Sequence, residues 1–388
     1  MVRNSMWRSH KMKIGILTYH HVTNDGSVMQ AYCLQQLIKN QLPESWVEII
    51  DYYPVVLYKR NLRAKFTLRQ FPFISMQLWK KQNSLKRFIH NHLILSPKFR
   101  TDNLEKAKSY IIDQTYDAII VGSDTVWEVR ENGGAPLAPN IYFLPTLENI
   151  KKIAFAVSLD QTDPNLIKED SRKSILKKYI SNFDFISVRD VQSFKLLLKI
   201  GVHEDNIQFL PDPTLLYDFS DIVQVPKIVH HDKDRIAGIA IADEYLRNYF
   251  YQNLTQKGYR VVSLLGPTFN EIKTPLKSLK QRLGAYALLD LLITDRFHGS
   301  IFALKLGTCP IVFVEKESIY IEAKSKGRDL FHRLGIEEMV WRYSSDRIPN
   351  DLIDGYLEKW STLSDRVLPN LKALRRSAQP ILEKIFKI

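Results

Sequence analysis

Short apolar runs alternate with longer stretches of helical periodicity along most of this chain. The apolar runs have the length and the β-branched and aromatic residues that are typical of buried strands. In the first half of the chain they occupy residues 13–17, 47–51, 117–121, 152–157, 185–188 and 208–210. The helical stretches between them are 27–39, 104–113, 171–181 and 192–200. This order predicts a parallel sheet that is covered by helices on both faces.

The alternation is interrupted once, between Tyr217 and His231, where the periodicity is lost. Strand-like runs then resume at residues 235–241, 260–265, 291–294 and 310–314. A chain of 388 residues also exceeds the usual size of a single core. We therefore predict an α/β protein with two doubly wound, Rossmann-like domains, over residues 1–220 and 221–361. A C-terminal helix over 362–388 is free to pack on either domain.

The net charge of +13 is concentrated in one segment, which we call the basic insertion (residues 52–101). It contains no acidic residue, and its eleven cationic residues are Lys59, Arg60, Arg63, Lys65, Arg69, Lys80, Lys81, Lys86, Arg87, Lys98 and Arg100. Aromatic residues such as Trp79 and Phe88 are interleaved with them. Three interpretations stay open: contact with an anionic membrane, a nucleic-acid patch, or a solvated helical insertion. Because no recognised nucleic-acid module accompanies the segment, we expect no nucleic-acid partner.

The remaining bulk features favour a cytoplasmic protein. No apolar run approaches the roughly 18–20 residues that cross a bilayer. Residues 1–13 are basic and lack the apolar core and cleavage site of a signal peptide. The two cysteines, Cys33 and Cys309, lie beside apolar elements and are expected to be buried thiols. Membrane association is expected only through the basic insertion.

The run at residues 291–300 (LLITDRFHGS) carries the most informative chemistry. In an open α/β sheet, ligands bind beyond the carboxyl ends of the strands, where the N–H groups of the next helix face anions. Asp295, Arg296 and His298 stand at such a strand end, followed by Gly299 and Ser300. This combination suits a phosphate or a carboxylate. On local sequence, a helix cap with one surface ion pair explains the same residues equally well.

Two earlier strand ends also carry polar residues. After the first strand, Asn24 and Gly26 belong to a turn, and Ser27 is placed to cap the helix that follows. After the third strand comes GSDTVW at residues 122–127, in which Ser123, Asp124 and Trp127 suit a sugar. The hydroxyls of a sugar bind carboxylates, and its faces stack on aromatic rings. A simple helix cap is the alternative.

Further polar residues follow the other predicted strands, which a parallel sheet would bring to one edge. They are Ser158, Arg189 with Asp190, and Asp212 before a proline. Individually, Arg189 is explained by an ion pair and Asp212 by a turn. Lys326 and Arg328 add positive charge before a short helix, or form only a solvated helix start. The paired histidines at positions 20, 21, 230 and 231 have no carboxylate or cysteine partner at ligand spacing, so no metal is expected.

Taken together, five blocks resemble the polysaccharide pyruvyl transferase family. They are residues 24–27 (NDGS), 121–127 (VGSDTVW), 186–190 (ISVRD), 210–216 (LPDPTLL) and 294–300 (TDRFHGS). Their order and spacing extend the resemblance over about residues 13–335. The chain departs from the family pattern at Asp25, Thr125 and Asp190, where the family usually has an aromatic residue, Gln and Glu. The basic insertion falls in a variable region of the family.

The resemblance implies a glycosyltransferase-B-like architecture with the active site between two facing domains. It implies phosphoenolpyruvate as donor and a pair of saccharide hydroxyls as acceptor, on a cell-surface or exopolysaccharide glycan. The product is a pyruvate ketal, and phosphate is released. Phosphoenolpyruvate is then a co-substrate, and neither a cofactor nor a metal is expected. Whether the acceptor is linked to a lipid stays open.

The same resemblance assigns roles to the residues at the strand ends. We predict His298, Arg296 and Asp124 as catalytic residues: a general acid or phosphate-activating group, a clamp, and either a base or a holder of the acceptor. The predicted donor-binding residues are Arg189, Ser158, Gly299, Ser300 and Lys326. The predicted acceptor-binding residues are Asn24, Gly26, Ser123 and Trp127. The N-terminal domain would thus bind the acceptor and the C-terminal domain the donor.

Two other functions stay open at this point. One is a nucleotide-sugar-dependent glycosyltransferase of the same architecture, in which Glu315 or Glu317 holds a ribose. The other is a non-catalytic relative that binds a glycan or an anion, because a fold alone does not establish activity.

Overall fold

A computed structural model of the protein describes most of the chain. The described residues are 11–59, 72–130, 138–145, 147, 149–160, 162–163, 165–168, 170–227, 235–265, 276–307, 309–317, 324–344, 348–349 and 351–387. Within these ranges, none of the helices combines the length and the apolar character that a membrane span requires. His230, His231 and residues 60–71 of the basic insertion lie outside the described residues.

The first half of the chain forms a six-stranded sheet in which every neighbouring pair is parallel. The strand order is β2-β1-β3-β4-β5-β6. The strands are β1 (Lys13–Leu17), β2 (Trp46–Ile49), β3 (Ala118–Asp124), β4 (Lys151–Val157), β5 (Phe185–Val188) and β6 (Ile207–Phe209). The helices are α1 (Asp25–Gln41), α2 (Pro72–His92), α3 (Leu104–Asp113), α4 (Asp170–Ile180), α5 (Val191–Ile200) and the short α6 (Pro213–Leu216).

The second half forms a separate five-stranded parallel sheet with the order β11-β10-β9-β7-β8. Its strands are β7 (Arg235–Ala240), β8 (Tyr259–Ser263), β9 (Leu291–Thr294), β10 (Ile311–Lys316) and β11 (Val340–Tyr343). Its helices are α7 (Glu244–Gln256), α8 (Leu279–Ala285), α9 (Phe297–Leu306), α10 (Lys326–Arg333), α11 (Leu352–Leu363) and α12 (Val367–Phe386).

The prediction of two doubly wound, Rossmann-like units is confirmed. The central strands are apolar on both faces and buried throughout, as β3 and β9 show, because helices cover both sides of each sheet. The sequence pattern did not reveal β11 or α11. The C-terminal helix α12 packs on the first half of the chain, since Arg375 donates from Nε to the carbonyl of Leu215 at 2.8 Å.

Candidate functional site

A cleft of about 1080 Å³ lies between the two sheets. Its walls come from the loops that follow β1 and β3 in the first half and β7, β9 and β10 in the second. These are the carboxyl ends of the strands, where an α/β sheet binds its ligands. The polar residues that the sequence placed at strand ends therefore come together around one cavity.

Behind one wall of the cleft lies a buried cluster of charged groups. Arg189, at the end of β5, donates to Asp212 Oδ2 at 2.6 Å and approaches Asp124 Oδ1 at 3.4 Å. The ring of His298 reaches the same cluster from the other half of the chain, with Nε2 3.5 Å from Asp212 Oδ2. Side chains from β3, β5, the start of α6 and α9 thus meet at one point.

His298 is held in place between the buried carboxylate of Asp212 and helix α1. Nε2 is buried and has no hydrogen-bond partner among the described residues, since the approach to Asp212 lacks hydrogen-bond geometry. On the other side of the ring, α1 comes so close that a Cβ at Gly26 would lie 2.3 Å from Nδ1. The imidazole is therefore fixed in position, with Nε2 directed at the buried carboxylate of Asp212 and Nδ1 directed at α1.

The two carboxylates of the cluster are held in their ionised form. Burial alone would raise the pKa of Asp124, but the charges of Arg189, His298 and Lys326 bring it below its ordinary value. Burial also opposes ionisation of Asp212, and the neighbouring His298 and Arg189 lower its pKa strongly. Asp124 also accepts a hydrogen bond from Ser27 Oγ at 2.6 Å. A low pKa makes Asp124 a weak base and favours a role in electrostatics and positioning.

Arg296 stands at the mouth of the cleft, immediately before the first residue of α9. Its side chain is 42% exposed, and Nε lies 2.8 Å from Asp295 Oδ1 without forming a hydrogen bond. Across the described part of the chain, its terminal amino groups have no hydrogen-bond partner. Its guanidinium thus remains available for an anion beside the N-terminus of α9.

The other residues predicted to bind the donor are divided by the structure. Lys326 and Gly299 line the cleft, and Lys326 Nζ lies 3.4 Å from Asp160. Ser158 and Ser300 are fully buried, and their hydroxyls donate to Asp190 and to the carbonyl of Arg296. The side chain of Arg189 is also buried, and its guanidinium pairs with Asp124 and Asp212. These three side chains form internal bonds, so they do not contact a ligand in the cleft directly.

The residues predicted to bind the acceptor divide in the same way. Asn24 and Gly26 line the cleft, whereas Ser123 is buried and donates to the carbonyl of Ala156 at 2.8 Å. Trp127 has no exposed surface and stacks on Phe143, so it cannot serve as a platform for a sugar. The cap of α1 is Asn24, whose side chain accepts from the N–H of Gly26, and not Ser27 as predicted.

A polar bridge joins the two halves of the chain and was not predicted from the sequence. Arg282 of α8 forms a two-pronged contact with Asp25, at 2.8 Å from Nε and 3.0 Å from a terminal amino group. It also donates to Ser84 Oγ of α2 at 2.8 Å, and Lys81 of the same helix lies 3.7 Å from Asp25. Burial opposes the negative charge of Asp25, but Lys81 and Arg282 together lower its pKa. The partners stand 257 residues apart in the chain, so no local pattern pairs them.

A second group of cleft residues also went unpredicted. Glu128 lines the cleft on the side of the first sheet and pairs with Arg130. Burial raises the pKa of Glu128, with further upward contributions from the charges of Asp160 and Asp124. Among the cleft carboxylates described here, Glu128 and Asp295 have raised pKa values, which suits groups that accept a proton. Glu128 lies four residues beyond Asp124, past the recognised motif.

Comparison with known proteins decides the family. The family model of polysaccharide pyruvyl transferase matches residues 24–317, which is most of the chain. The chain belongs to the polysaccharide pyruvyl transferase family. It is therefore a transferase, and each of the blocks on which the resemblance rested lies within the matched region. Among curated protein sequences, none matches this chain.

Solved structures support the architecture. UDP-GlcNAc 2-epimerase from Neisseria meningitidis, solved with UDP-GlcNAc, aligns with a TM-score of 0.54 at 9% identity, over 97% of this chain and 100% of its own. HepE from Anabaena, solved with UDP and glucose, gives a TM-score of 0.54 at 10% identity over the same shares of the two chains. The epimerase from Rickettsia bellii gives 0.53 at 12% identity, over 97% of each chain. At these identities the likeness establishes a glycosyltransferase-B-like fold only.

The contact between α1 and His298 makes Gly26 a sensitive position in this pyruvyl transferase family member. We expect Gly26→Ala to lower turnover by at least about tenfold, because the new methyl group must displace the imidazole. Alanine is the better helix former by about 1 kcal/mol, so helix loss would not explain the result. Turnover and urea unfolding should be measured together.

Gly355 in α11 provides the matched control, since a Cβ there meets nothing within 4 Å. Gly355→Ala should leave turnover unchanged and stability equal or slightly higher. Full activity in Gly26→Ala would mean that the imidazole need not occupy the observed position.

Proposed function

We propose that this protein transfers a pyruvyl group from phosphoenolpyruvate to two hydroxyls of a saccharide, forming a pyruvate ketal and releasing phosphate. The observation that supports it best is the meeting of Arg296 and His298 with Asp124 and Gly26 in one cleft between the two sheets. The cleft offers cationic groups for the two anionic ends of the donor and a fixed imidazole for proton transfer.

The donor carries a phosphate and a carboxylate, and we place both on the side of the second sheet. Arg296 presents an exposed guanidinium next to the N-terminus of α9, where N–H groups also face anions. Lys326 and Lys316 add positive charge along the same wall. In this arrangement Arg296 binds the phosphate or carboxylate directly, and Arg189 acts behind the wall by balancing the carboxylates that face His298.

His298 is proposed as the group that protonates the methylene carbon of the donor. Arg189 alone cannot neutralise both Asp124 and Asp212, and a proton on His298 would bring the net charge of these four groups to zero. An imidazolium is the form that a proton donor requires. Transfer of that proton converts the methylene to a methyl group and leaves an oxocarbenium-like centre at C2.

Two hydroxyl additions complete the reaction. The first acceptor hydroxyl attacks C2 and gives up its proton, the C–O bond to phosphate then breaks, and the second hydroxyl attacks the same carbon and loses its proton. Overall, one of the two hydroxyl protons replaces the proton donated to the methyl group, and the other leaves with phosphate. Glu128, a carboxylate with a raised pKa on the wall formed by the first sheet, is the proposed proton acceptor. Asn24 and Asp124 then orient the saccharide.

A nucleotide-sugar-dependent glycosyltransferase is the alternative that the fold alone permits. It would need an acidic residue to hold the ribose, and Glu315 follows the appropriate strand. Glu315 is buried, however, and its oxygens already bind the N–H of Ser325, Arg328 at 3.1 Å and Arg342 at 3.5 Å. No other described observation favours this function over pyruvyl transfer.

The proposal is tested by supplying phosphoenolpyruvate or a panel of nucleotide sugars with a pool of bacterial glycans. We expect phosphate release that depends on the glycan, and a ketal methyl signal in the product.

Two substitutions test the proposed roles in the same assay. Arg296→Ala should raise the KM for phosphoenolpyruvate, and Glu128→Gln should lower kcat. Turnover of a nucleotide sugar in place of phosphoenolpyruvate would support the glycosyltransferase, and donor binding without phosphate release would support the non-catalytic relative.

We also propose that helix α2 of the basic insertion contacts an anionic membrane, where a lipid-linked acceptor would be found. One face of α2 exposes Met76 and Trp79 (56%) next to Lys80, Lys86 and Arg87. At 3.6 residues per turn these five positions fall within about one third of the helix circumference, so apolar and cationic groups share one exposed stripe. Each such cation contributes about 1 kcal/mol to binding at an anionic surface, and three give on the order of a hundredfold preference.

Co-sedimentation with vesicles tests this contact. The wild-type protein should co-sediment with vesicles that contain phosphatidylglycerol at low salt. It should dissociate from them at high salt, and it should not bind vesicles of pure phosphatidylcholine. Trp79→Ser should weaken the binding, whereas Trp46→Ser should not, because Trp46 is about equally exposed (51%) but lies on β2 and donates to Glu48. Binding that is indifferent to lipid charge and salt would contradict the proposal.

A further inference from the structure

Three side chains outside the cleft converge on one point. His20 and His21 follow β1, and Asp51 lies just beyond β2, the neighbouring strand. Nε2 of His20 lies 3.2 Å from Asp51 Oδ1, and Nε2 of His21 contacts the same oxygen. The donor atoms of the three residues all lie within 4.8 Å of one another. None of the three lines the cleft as described.

The spacing of residues along the sequence could not reveal this group of three side chains. Successive residues of an extended chain normally point to opposite sides. Beyond the end of β1 the chain turns, and the two rings lie 3.8 Å apart between their centroids. Asp51, which supplies the carboxylate, lies thirty residues after His21 in the sequence. The three side chains therefore come together only when β1 and β2 pair in the folded sheet.

We propose that His20, His21 and Asp51 bind a divalent transition-metal cation, with Zn²⁺ as the preferred ion. Two imidazoles and one carboxylate suit zinc and its first-row neighbours better than Mg²⁺ or Ca²⁺, which take oxygen ligands. In a tetrahedral zinc site with bonds of about 2.1 Å, ligand atoms stand about 3.4 Å apart. The observed separations bracket this value, because His20 Nε2 lies 3.2 Å from Asp51 Oδ1, the contact of His21 with that oxygen is shorter, and no pair exceeds 4.8 Å. Small side-chain shifts, outward for His21 and inward for the widest pair, would reach that geometry. A water molecule would complete the coordination.

The surroundings of the three residues are those of a metal site. Nδ1 of His20 lies 3.2 Å from the carbonyl oxygen of Thr18, so its N–H donates there and directs the lone pair of Nε2 toward Asp51. Metal-binding histidines are usually oriented in this way by a backbone carbonyl or a carboxylate. The ring of Tyr53 stacks on His21 at 4.7 Å and limits its rotation.

A hydrogen-bonded triad without metal explains this geometry less well. If Nδ1 of His20 donates to Thr18, then Nε2 can donate to Asp51 only when the ring carries both protons. The side chain of His20 is fully buried, and a single oxygen of Asp51 would have to serve both histidines. A cation between the three groups satisfies both Nε2 lone pairs and the carboxylate together.

The expected role is to fix the loop between β1 and α1. Tyr19, Thr23 and Asn24 on either side of the histidines line the cleft. A metal that joins this loop to the end of β2 would hold that wall of the cleft in position, because the free energy of binding at a site that exists only in the folded sheet stabilises the fold.

Metal titration of the chelator-treated protein tests the inference. Co²⁺ should bind with one equivalent and give d–d absorption bands of a tetrahedral site, and Zn²⁺ should displace it and raise the melting temperature. Asp51→Asn, which is nearly isosteric, should weaken Co²⁺ binding at least tenfold and remove the rise in melting temperature. His20→Ala should do the same.

His203 provides the control, since it forms an exposed pair with Asp205 at 3.3 Å and has no second imidazole. His203→Ala should bind Co²⁺ as wild type does. Wild-type protein that shows neither Co²⁺ bands nor a Zn²⁺-dependent shift in melting temperature would overturn the inference. So would metal binding that Asp51→Asn and His20→Ala leave unchanged.

Discussion

His298→Ala should reduce pyruvyl transfer by roughly 10²–10⁴-fold, the range expected when a general acid is lost. The variant removes the ionisable side chain that α9 contributes to the buried charge cluster, and with it the proposed transferable proton. Because Arg296 is untouched, the KM for phosphoenolpyruvate should change little while kcat falls. Phosphate release and ketal formation, measured as functions of donor concentration, separate the two parameters.

A second histidine shows whether the effect is specific. His332 in α10 is exposed and bonds to Glu337 at 2.7 Å, outside the cleft. His332→Ala should leave both parameters unchanged. A folded His298→Ala protein with turnover close to that of wild type would remove His298 from the mechanism, without affecting membership of the family.

Arg189→Met should lower the free energy of unfolding by about 3–5 kcal/mol. Removing one partner of a buried pair leaves an uncompensated charge, and here two carboxylates, Asp124 and Asp212, lose their shared cation. Methionine retains much of the volume of the aliphatic stem, so the cavity contribution is small. Urea denaturation gives the value directly.

The loss of unfolding free energy in Arg189→Met should become smaller as the pH falls. In wild type the pKa values of Asp124 and Asp212 are depressed, so their contribution to stability is present above their unfolded value of about 3.9 and disappears as pH falls. The gap between wild type and Arg189→Met should therefore be largest near neutral pH and narrow below about pH 4. An equal gap at every pH would indicate that packing, and not charge, accounts for the loss.

The surface pair between Lys108 and Glu105 provides a reference for this measurement. The two groups lie 2.9 Å apart on α3, with the glutamate largely exposed. Water and salt screen such a pair, so Lys108→Met should cost at most about 1 kcal/mol. Together, the two substitutions compare the loss of a long cationic side chain from a fully buried pair and from a pair whose carboxylate is exposed to solvent.

The strands of both sheets were predictable because parallel strands produce a recognisable pattern in the sequence. Strands buried on both faces are continuous apolar runs. Of the eleven strands in the described ranges, ten, from β1 to β10, were predicted within a few residues of their bounds. β11 was missed because Val340–Tyr343 lies at an edge and includes exposed Arg342, so it has no apolar run. Residues at strand ends were likewise predictable as a group, because topology alone brings them together.

The direction of each side chain at those ends was not predictable. Trp127 and Asp124 share one short motif, yet the indole packs into the core while the carboxylate reaches the cleft, because Asp124 adopts a positive φ of 78° that turns the chain between them. Charge partners were equally hidden. Arg189 was paired by sequence with its neighbour Asp190, but the fold pairs it with Asp212 and Asp124.

The bridge from Arg282 to Asp25 and Ser84 has a practical consequence for protein engineering. A variable, basic segment is a natural choice for removal when a shorter version is wanted for crystals or expression. Helix α2, however, supplies both Ser84 and Lys81 to the contact that joins the two halves of the molecule. A shortened protein without residues 52–101 would keep all five sequence blocks of its family. It would lose the contacts of Ser84 and Lys81 that help to join the two halves of the molecule.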